Sequence, residues 1–438
     1  MELPIQIKDN NWDGLVIDDA RHLENLQKIA EYPIKQLNVD DNPNLLIFPQ
    51  NLNEYGDKIG DQHVFEVRED KLYTGNIMGF IGYRDTKVRI LSRFSQSEDD
   101  YFLHYMLQRV FAINLFDLKY HADDESIFDF LIYLFPAFLK RAIRQGLYKE
   151  YQTRDYNDAN IRGRVDVARH IRMNIPFAGK VAYSTREYAY DNHVTQLIRH
   201  TIEFIANHQY GGGILQNDDL TKDAVSMIRE ATSSYSQNER RKVINQNLRP
   251  LSHPYFSEYR HLQRLCVQIL RYEEIKYGRN EDEIYGVLFD GAWLWEEYLN
   301  TILQPCGFIH PQNKISTGRI PLFTDGSGYR YPDFYKDDMV LDAKYKRYAH
   351  LKLQQLDGDD LHQVITYMHI LGFSHGGFIV PRQYIDNDFE PQPKTLKGLG
   401  GNMKIYALTV DKPASNFKAY CQQMDLYEKE LRESISII

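Results

Sequence analysis

The spacing of hydrophobic positions changes along the chain, and each change marks a different kind of element. In the first hundred residues the apolar positions come in short runs: His63-Val-Phe-Glu-Val67, Leu72-Tyr-Thr-Gly75, residues 77–83 and residues 87–91, with Gly and Asp between them. Short branched and aromatic runs between turn formers predict strands. A helix over 20–32, with Leu23, Leu26 and Ile29 on one face, and a strand over 45–49 precede them. Four to six such strands suit a small sheet or barrel serving as an adaptor. From Asp99 the apolar residues recur at i, i+3, i+4 and i+7, which predicts amphipathic helices over 101–118, 126–148, 194–208, 220–233 and 255–276. Asp191 or Asn192 suits the N-cap of the third. The stretch 151–166 reads as a polar loop, and Gly211-Gly-Gly213 as a flexible turn.

From residue 286 the order becomes helix, strands, helix, strand, strand, helix. The helix over 286–303 is stopped by Pro305; a strand pair falls within 329–345, a helix over 360–371, strands over 376–380 and 403–409, and a last helix over 414–432. That order predicts an α/β unit with a central mixed sheet. The expected fold class is a multidomain α+β and α/β chain. It divides into a β-rich N-terminal region over 1–98, a helical middle region over 99–280 and an α/β domain over 281–438, with the boundary in the glycine-led polar stretch 278–283.

Composition narrows the setting. At 43% hydrophobic and 26% charged residues the chain reads as an ordinary soluble protein able to bury sizeable cores. Cys266, Cys306 and Cys421 are scattered and odd in number, which argues against a disulfide framework or a structural zinc site and for a reducing, cytoplasmic setting. The N-terminus does not read as a signal peptide, and no apolar run approaches the ~20 residues of a membrane span. The net charge of −9 means that any contact with nucleic acid comes from a local basic surface or from a partner.

The chemistry concentrates in residues 329–348. Two runs, 329–335 and 339–345, flank the polar turn Lys336-Asp337-Asp338 and predict a β-hairpin. Strand alternation puts Asp342 and Lys344 on one face and Ala343 on the other, with Asp333 late in the first strand and across from Asp342. Two carboxylates and a lysine then share one small space. Magnesium needs only one or two carboxylates besides water and a substrate phosphate. Asp333 and Asp342 supply them, and the backbone carbonyl of Ala343 is a further candidate ligand; manganese is an alternative ion. Lys344 is placed to orient or help deprotonate the water and to stabilise charge on a phosphorane-like transition state. Glu296, with Glu297 behind it, is the acidic group expected from the preceding helix. Gln363 and Tyr367, four apart, share a face of the following helix. The spacing Asp-x8-Asp-x-Lys alone is unspecific; its placement on paired strands between two helices gives it meaning.

These residues carry a resemblance. Pro332-Asp333 with Asp342-Ala-Lys344 resembles the PD-(D/E)xK nuclease motif, and Gln363-Val-Ile-Thr-Tyr367 resembles the Q-x-x-x-Y helix of several nucleases of that superfamily. More narrowly, Leu294-Trp-Glu296-Glu-Tyr298 and Leu341-Asp-Ala-Lys-Tyr-Lys346 are similar to segments of the McrC family, the nuclease subunits of McrBC modification-dependent restriction systems. Ile161-Arg-Gly-Arg-Val-Asp166, Arg186-Glu187 with Asn192, and Gly79-Phe-Ile-Gly with Val88-Arg-Ile-Leu91 extend the likeness upstream. Leu91-Ser92-Arg93 departs from the Pro-Lys pair expected there. The resemblance implies a PD-(D/E)xK α/β core that cleaves double-stranded DNA carrying modified bases. Cleavage would require assembly on a hexameric AAA+ GTPase, the McrB-like partner, whose hydrolysis the N-terminal part stimulates. With no Walker A motif in the sequence, this chain is expected to bind no nucleotide itself.

Two other readings stand beside this one: a stand-alone PD-(D/E)xK repair or junction nuclease, and a non-catalytic activator of a GTPase. Lys346 and Arg347, just past the motif, are candidates for phosphate contact or for a solvated basic edge. Arg162 and Arg164 are either solvated arginines around a turn glycine or a basic loop that docks a partner or nucleic acid. His310-Pro-Gln-Asn313 reads as a plain loop.

Overall fold

A strand from the far half of the chain completes the N-terminal sheet. The computed structural model describes residues 4–37, 45–49, 58–96, 99–112, 124–208, 211–276, 284–311, 318–348, 352–353, 356–384, 391–398 and 400–436. In it Ile284–Asp290 lies between Ile77–Tyr83, antiparallel, and Leu45–Phe48, parallel. Thr86–Leu91 and Ile5–Lys8 extend the sheet to five strands. The helix expected over 286–303 is therefore a strand followed by the helix Gly291–Leu303. Val287, Leu288 and Phe289 are buried on both sides, so they form a continuous apolar run that fits either period. Asp290 ends the strand and caps the helix, accepting the Trp293 N–H at 2.7 Å. Glycine is required where the strands meet. A Cβ on Gly286 (φ +152°) would stand 2.2 Å from the Phe80 carbonyl oxygen, and one on Gly79 (φ +123°) 2.2 Å from that of Val287.

The expected three-part serial division gives way to a different partition. Residues 1–130 and 278–438 form one compact unit, and residues 131–277 a second. The expected boundary stretch 278–283 lies outside the described residues. In the first unit a small three-stranded sheet, Leu15–Val16, Lys71–Thr74 and Phe65–Arg68, shares a core with the helix Ala20–Ala30, whose Leu26 and Ile29 are fully buried. The C-terminal part carries the expected mixed sheet. Its order is Phe334–Lys336, Met339–Ala343, His375–Arg382, Asn402–Thr409 and Lys394–Thr395, parallel in the middle and antiparallel at both edges. The helix Gly358–Leu371 packs Val364, Tyr367 and Met368 onto this sheet. Three further helices, Tyr101–Phe111, Gly291–Leu303 and Phe417–Ser436, meet at buried Glu428. It accepts the Tyr105 hydroxyl at 2.8 Å, the Tyr298 hydroxyl at 2.9 Å and the Arg109 guanidinium at 2.9 Å. Among the described residues no helix is long and apolar enough to cross a membrane.

The second unit is helical with a three-stranded sheet, two of whose strands fall in the stretch expected as a polar loop. Glu150–Asp158 pairs antiparallel with Val181–Ala189, which also takes Arg164–Val165. Side chains of Glu150–Asp158 alternate in exposure, the period-2 signature; its polar and charged residues hid the strand. The helix His193–Ala206 is capped by Asn192, whose side chain accepts from Val194 and Thr195 N–H while Thr195 reciprocates. The glycine run expected as a turn forms the short helix Gly211–Ile214.

His200 is buried on the helix His193–Ala206, and neither ring nitrogen has a hydrogen-bond partner. Burial, helped by Arg240 and Arg199, pushes its pKa down to about 4. The unfolded chain takes up a proton near pH 6.5 that the folded one refuses, so stability falls as pH drops from about 6.5 towards 4. Thermal unfolding of the full chain at pH 7 and pH 5 checks this. His200→Gln should show an acid-induced loss smaller than wild type by on the order of 1 kcal/mol.

Candidate active site

The expected hairpin forms, but its first strand is shorter than predicted. Tyr329–Arg330 pairs with Ile320–Pro321 instead, and Asp333 stands immediately before Phe334–Lys336. The turn falls at Asp337 (φ +49°) and Asp338, whose carboxylate accepts the Ser374 N–H at 2.6 Å. Asp333 still reaches across: its Oδ2 accepts the Ala343 N–H at 2.7 Å. That ties the Asp333 side chain to the backbone beside Asp342.

Asp342 and Lys344 share one face, as alternation requires. The Lys344 ammonium is 2.8 Å from Asp342 Oδ2 and 3.3 Å from Asp360 Oδ1. It also donates to Gln363 Oε1 at 3.3 Å. Gln363 in turn donates to the Tyr367 hydroxyl at 3.0 Å, and Tyr367 donates to the Tyr331 carbonyl at 3.1 Å. One helix face thus fixes both the lysine and the chain leading into Asp333. Lys346 pairs with Asp360 at 2.6 Å.

Burial holds the Asp342 carboxyl above the ordinary carboxylate range, against the pull of Lys344. Burial also works against the Lys344 ammonium, but Asp342, Asp333 and Asp360 together outweigh it and raise its pKa. Lys344 is therefore a fixed positive charge at neutral pH, not a ready base. The Asp342 carboxylate is 1% exposed; its Oδ2 faces the Lys344 ammonium, and its Oδ1 accepts no hydrogen bond. A buried carboxylate oxygen that no N–H or O–H satisfies fits a hard cation. Among the described residues no three His, Cys, Asp or Glu side chains converge as a ready-made metal site. Asp342 and Asp333, with the Ala343 carbonyl, are the donor set that fits magnesium or manganese.

Two residues escaped the sequence reading. His310 stands in irregular backbone, as expected of a loop, with residues 312–313 outside the described residues, but its side chain is engaged. Its Nδ1 is 2.7 Å from the Asp333 carbonyl oxygen, its Nε2 lies 3.7 Å from Glu296 Oε1, and its ring stacks on Phe334 at 4.8 Å. The neighbouring Ile309 bridges Tyr335 on the open edge of the hairpin. Glu296, the expected helix acid, thus reaches Asp333 through His310. Asp360 was read only as a helix start, where an acid suits the helix dipole. Its contact with both lysines has no signature in spacing.

Other candidates lie elsewhere. Arg347 is exposed, with its guanidinium 5.7 Å from the Phe94 ring centre. Arg162 and Arg164 belong to the second unit. Arg162 donates to the Tyr183 hydroxyl at 3.4 Å, and Arg164 pairs with Ser184. A Cβ on Gly163 would stand 2.1 Å from the Ser184 carbonyl oxygen, so that glycine is a structural requirement.

A mixed sheet whose hairpin brings two carboxylates and a lysine together under a glutamine-bearing helix defines an α/β protein with a buried acidic site. Comparison with known proteins gives its family. The chain belongs to the family of McrBC 5-methylcytosine restriction system components, which matches residues 72–381, more than half of its length. Its fold is similar to a chain in a Thermococcus gammatolerans assembly, a refined half-complex of McrB AAA+ hexamers with bound McrC. The match covers 99% of this chain and 100% of that one, with a TM-score of 0.52 and 17% identity. A chain of the Thermococcus gammatolerans McrBC complex also matches, at 15% identity over 69% of this chain and 87% of that one; its TM-score of 0.34 is too low to argue from. Comparison with curated proteins gives no match.

Cation binding is testable without activity. Asp342→Asn loses the ion pair with Lys344, so its melting temperature with metal is compared with its own value without metal. The substitution should abolish the rise that manganese gives to the wild-type chain. A differential scanning measurement with and without manganese decides it.

Proposed function

We propose that this chain is the metal-dependent DNA endonuclease subunit of a McrBC-like modification-dependent restriction system, built on a PD-(D/E)xK core. It hydrolyses phosphodiesters of double-stranded DNA carrying modified bases while bound to a hexameric AAA+ GTPase whose GTP hydrolysis it stimulates. The observation that carries the reading is the Asp342 carboxylate, buried with Oδ1 accepting no hydrogen bond, with Asp333 and charged Lys344 beside it. Family membership supports the restriction system, and the Thermococcus gammatolerans assembly, in which McrC is bound to McrB hexamers, supports the ring partner.

Each residue has a task in this reading. Asp333, Asp342 and the Ala343 carbonyl would hold magnesium. When bound, that ion neutralises phosphate charge and lowers the pKa of an attacking water. Lys344 keeps its positive charge because three carboxylates surround it, and it stabilises negative charge growing on the phosphoryl oxygens. Gln363, held by Tyr367, stops the Lys344 side chain from swinging away. Glu296 acts through His310 on the position of Asp333. For the ring partner, the second unit offers an apolar surface. Val167, Ile171, Met173, Ile175 and Phe177 are between 54% and 68% exposed, next to Arg162 and Arg164 in sequence. Apolar patches of this kind mark protein contacts.

Asp342→Ala, assayed with the partner GTPase on modified duplex DNA, should lower cleavage about 1,000-fold or more while GTPase stimulation stays at the wild-type level. Cleavage that survives this change sinks the site assignment. His310→Phe keeps the stack on Phe334 but loses the bond to the Asp333 carbonyl. Its cleavage rate should fall about 10- to 100-fold, the range for residues that orient metal ligands. His310→Asn, which retains a donor, should recover part of that loss.

A further inference from the structure

The hairpin of Ile320–Pro321 and Tyr329–Arg330 has no role in the chemistry above, yet it leads directly into Asp333. We propose that it grips DNA beside the cleavage centre: Phe323 enters the base stack, and Arg319 and Arg330 meet flanking phosphates. The proposal rests on the nuclease reading and adds to it a contact that positions the substrate.

The base of the hairpin is fixed to the site. Ile320 is buried in the same core as Val364, Tyr367 and Phe378, and the Tyr331 carbonyl accepts the Tyr367 hydroxyl. Asp333 follows Arg330 by three positions, so their Cα atoms are at most about 11 Å apart. Along one DNA strand that is about three base steps. An element anchored this close to a cutting centre is within reach of a duplex held there.

The tip is built rather than loose. The Leu322 N–H donates to the carbonyls of Ser327 at 3.1 Å and Gly328 at 3.0 Å, and the Phe323 N–H to Ser327 at 3.1 Å. Asp325 accepts the Ser327 N–H at 2.9 Å and its hydroxyl at 2.6 Å, so the carboxylate at the tip is committed to its own turn. Gly328 sits at φ +70°, and a Cβ there would come within 2.9 Å of the Phe323 ring. The ring therefore rests on bare backbone, which fixes its direction. Even so, it is 57% exposed, and Tyr329 is 46% exposed. Single exposed apolar residues are common. Here the exposed ring stands on a braced turn between two exposed arginines, and the Arg319 guanidinium lies 3.8 Å from the Tyr329 ring centre. Cation and aromatic surface together match a polyanion with stacked bases, and an inserted apolar side chain is a known way to unstack a base step.

The test uses the full-length chain with its partner GTPase. In an Asp342→Ala background, which cannot cut, fluorescence anisotropy with a modified duplex gives affinity and its salt dependence. Phe323→Ala should weaken binding about 5- to 100-fold, with Phe323→Trp close to wild type. Arg330→Ala should reduce the slope of log affinity against log salt by about one. In the cutting-competent chain the same changes should leave GTPase stimulation unaltered. Unchanged affinity and slope would overturn the proposal. So would a loss confined to partner binding or GTPase stimulation, which would make the hairpin a protein contact. If wild type itself neither binds nor cuts the duplex, the nuclease reading falls, and this proposal with it.

Discussion

One buried guanidinium joins the N-terminal sheet to the reactive strand. Arg93, at the end of Thr86–Leu91, is buried and pairs with Asp9, which continues Ile5–Lys8. It also donates to the Asn76 side chain and, at 3.2 Å, to the carbonyl of Tyr345. The Tyr345 ring lies under the guanidinium at 4.7 Å, and its hydroxyl meets Ser92 at 2.8 Å. Tyr345 is the residue after Lys344, so the position of the lysine depends on an ion pair formed by the opposite end of the chain. Burial raises the Asp9 pKa, and the Arg93 charge opposes that rise. Removing either partner would leave an uncompensated buried charge, typically a loss of about 3–5 kcal/mol. The N-terminal strands are thus part of the scaffold of the site, whatever else they contact. The departure noticed at Leu91-Ser92-Arg93 falls at this joint.

The same joint explains why the division into serial domains was not legible. Periodicity reports which face of a segment is apolar, not which distant segment covers it. Residues 77–91 announced strands correctly, and the mixed C-terminal sheet followed from the order of its elements. Ile284–Asp290 could not announce that it closes a sheet begun by Ile77–Tyr83, because a strand buried on both faces has no alternation to read. Glu150–Asp158 failed for the opposite reason: it alternates, but with polar residues on its inner face too, so it resembled a loop.

At the site, what the sequence shows is set by local covalent geometry. Asp342 and Lys344 are two apart on one strand, and Gln363 and Tyr367 four apart on one helix; both spacings dictate a shared face. Asp333 could be placed because a short turn joins its strand to theirs. His310 and Asp360 could not. The contact of His310 with Asp333 depends on the Ile309–Tyr335 bridge, a pairing across the edge of the hairpin. Asp360 reaches Lys344 and Lys346 only because Gly358–Leu371 packs at one particular height on the sheet. Neither fact is written in spacing. Histidine in a polar loop and aspartate at a helix start are the commonest innocent uses of those residues.

The charge balance of the site favours dependence on a partner over independent action. Three carboxylates, those of Asp333, Asp342 and Asp360, act on the Lys344 ammonium, and Asp360 also holds Lys346, on a chain whose net charge is −9. A phosphodiester approaching this centre meets excess negative charge at short range and a repulsive field at long range. A divalent cation compensates the first, because it can sit at the Asp342 Oδ1, which accepts no hydrogen bond. It does nothing for the second, since a single ion is screened beyond about 8 Å at physiological salt. On the proposed reading, affinity for DNA has to come from elsewhere: locally from elements such as the arginine-flanked hairpin, and over longer distances from another chain. The proposed nuclease would then stay quiet on DNA until something else delivers the duplex.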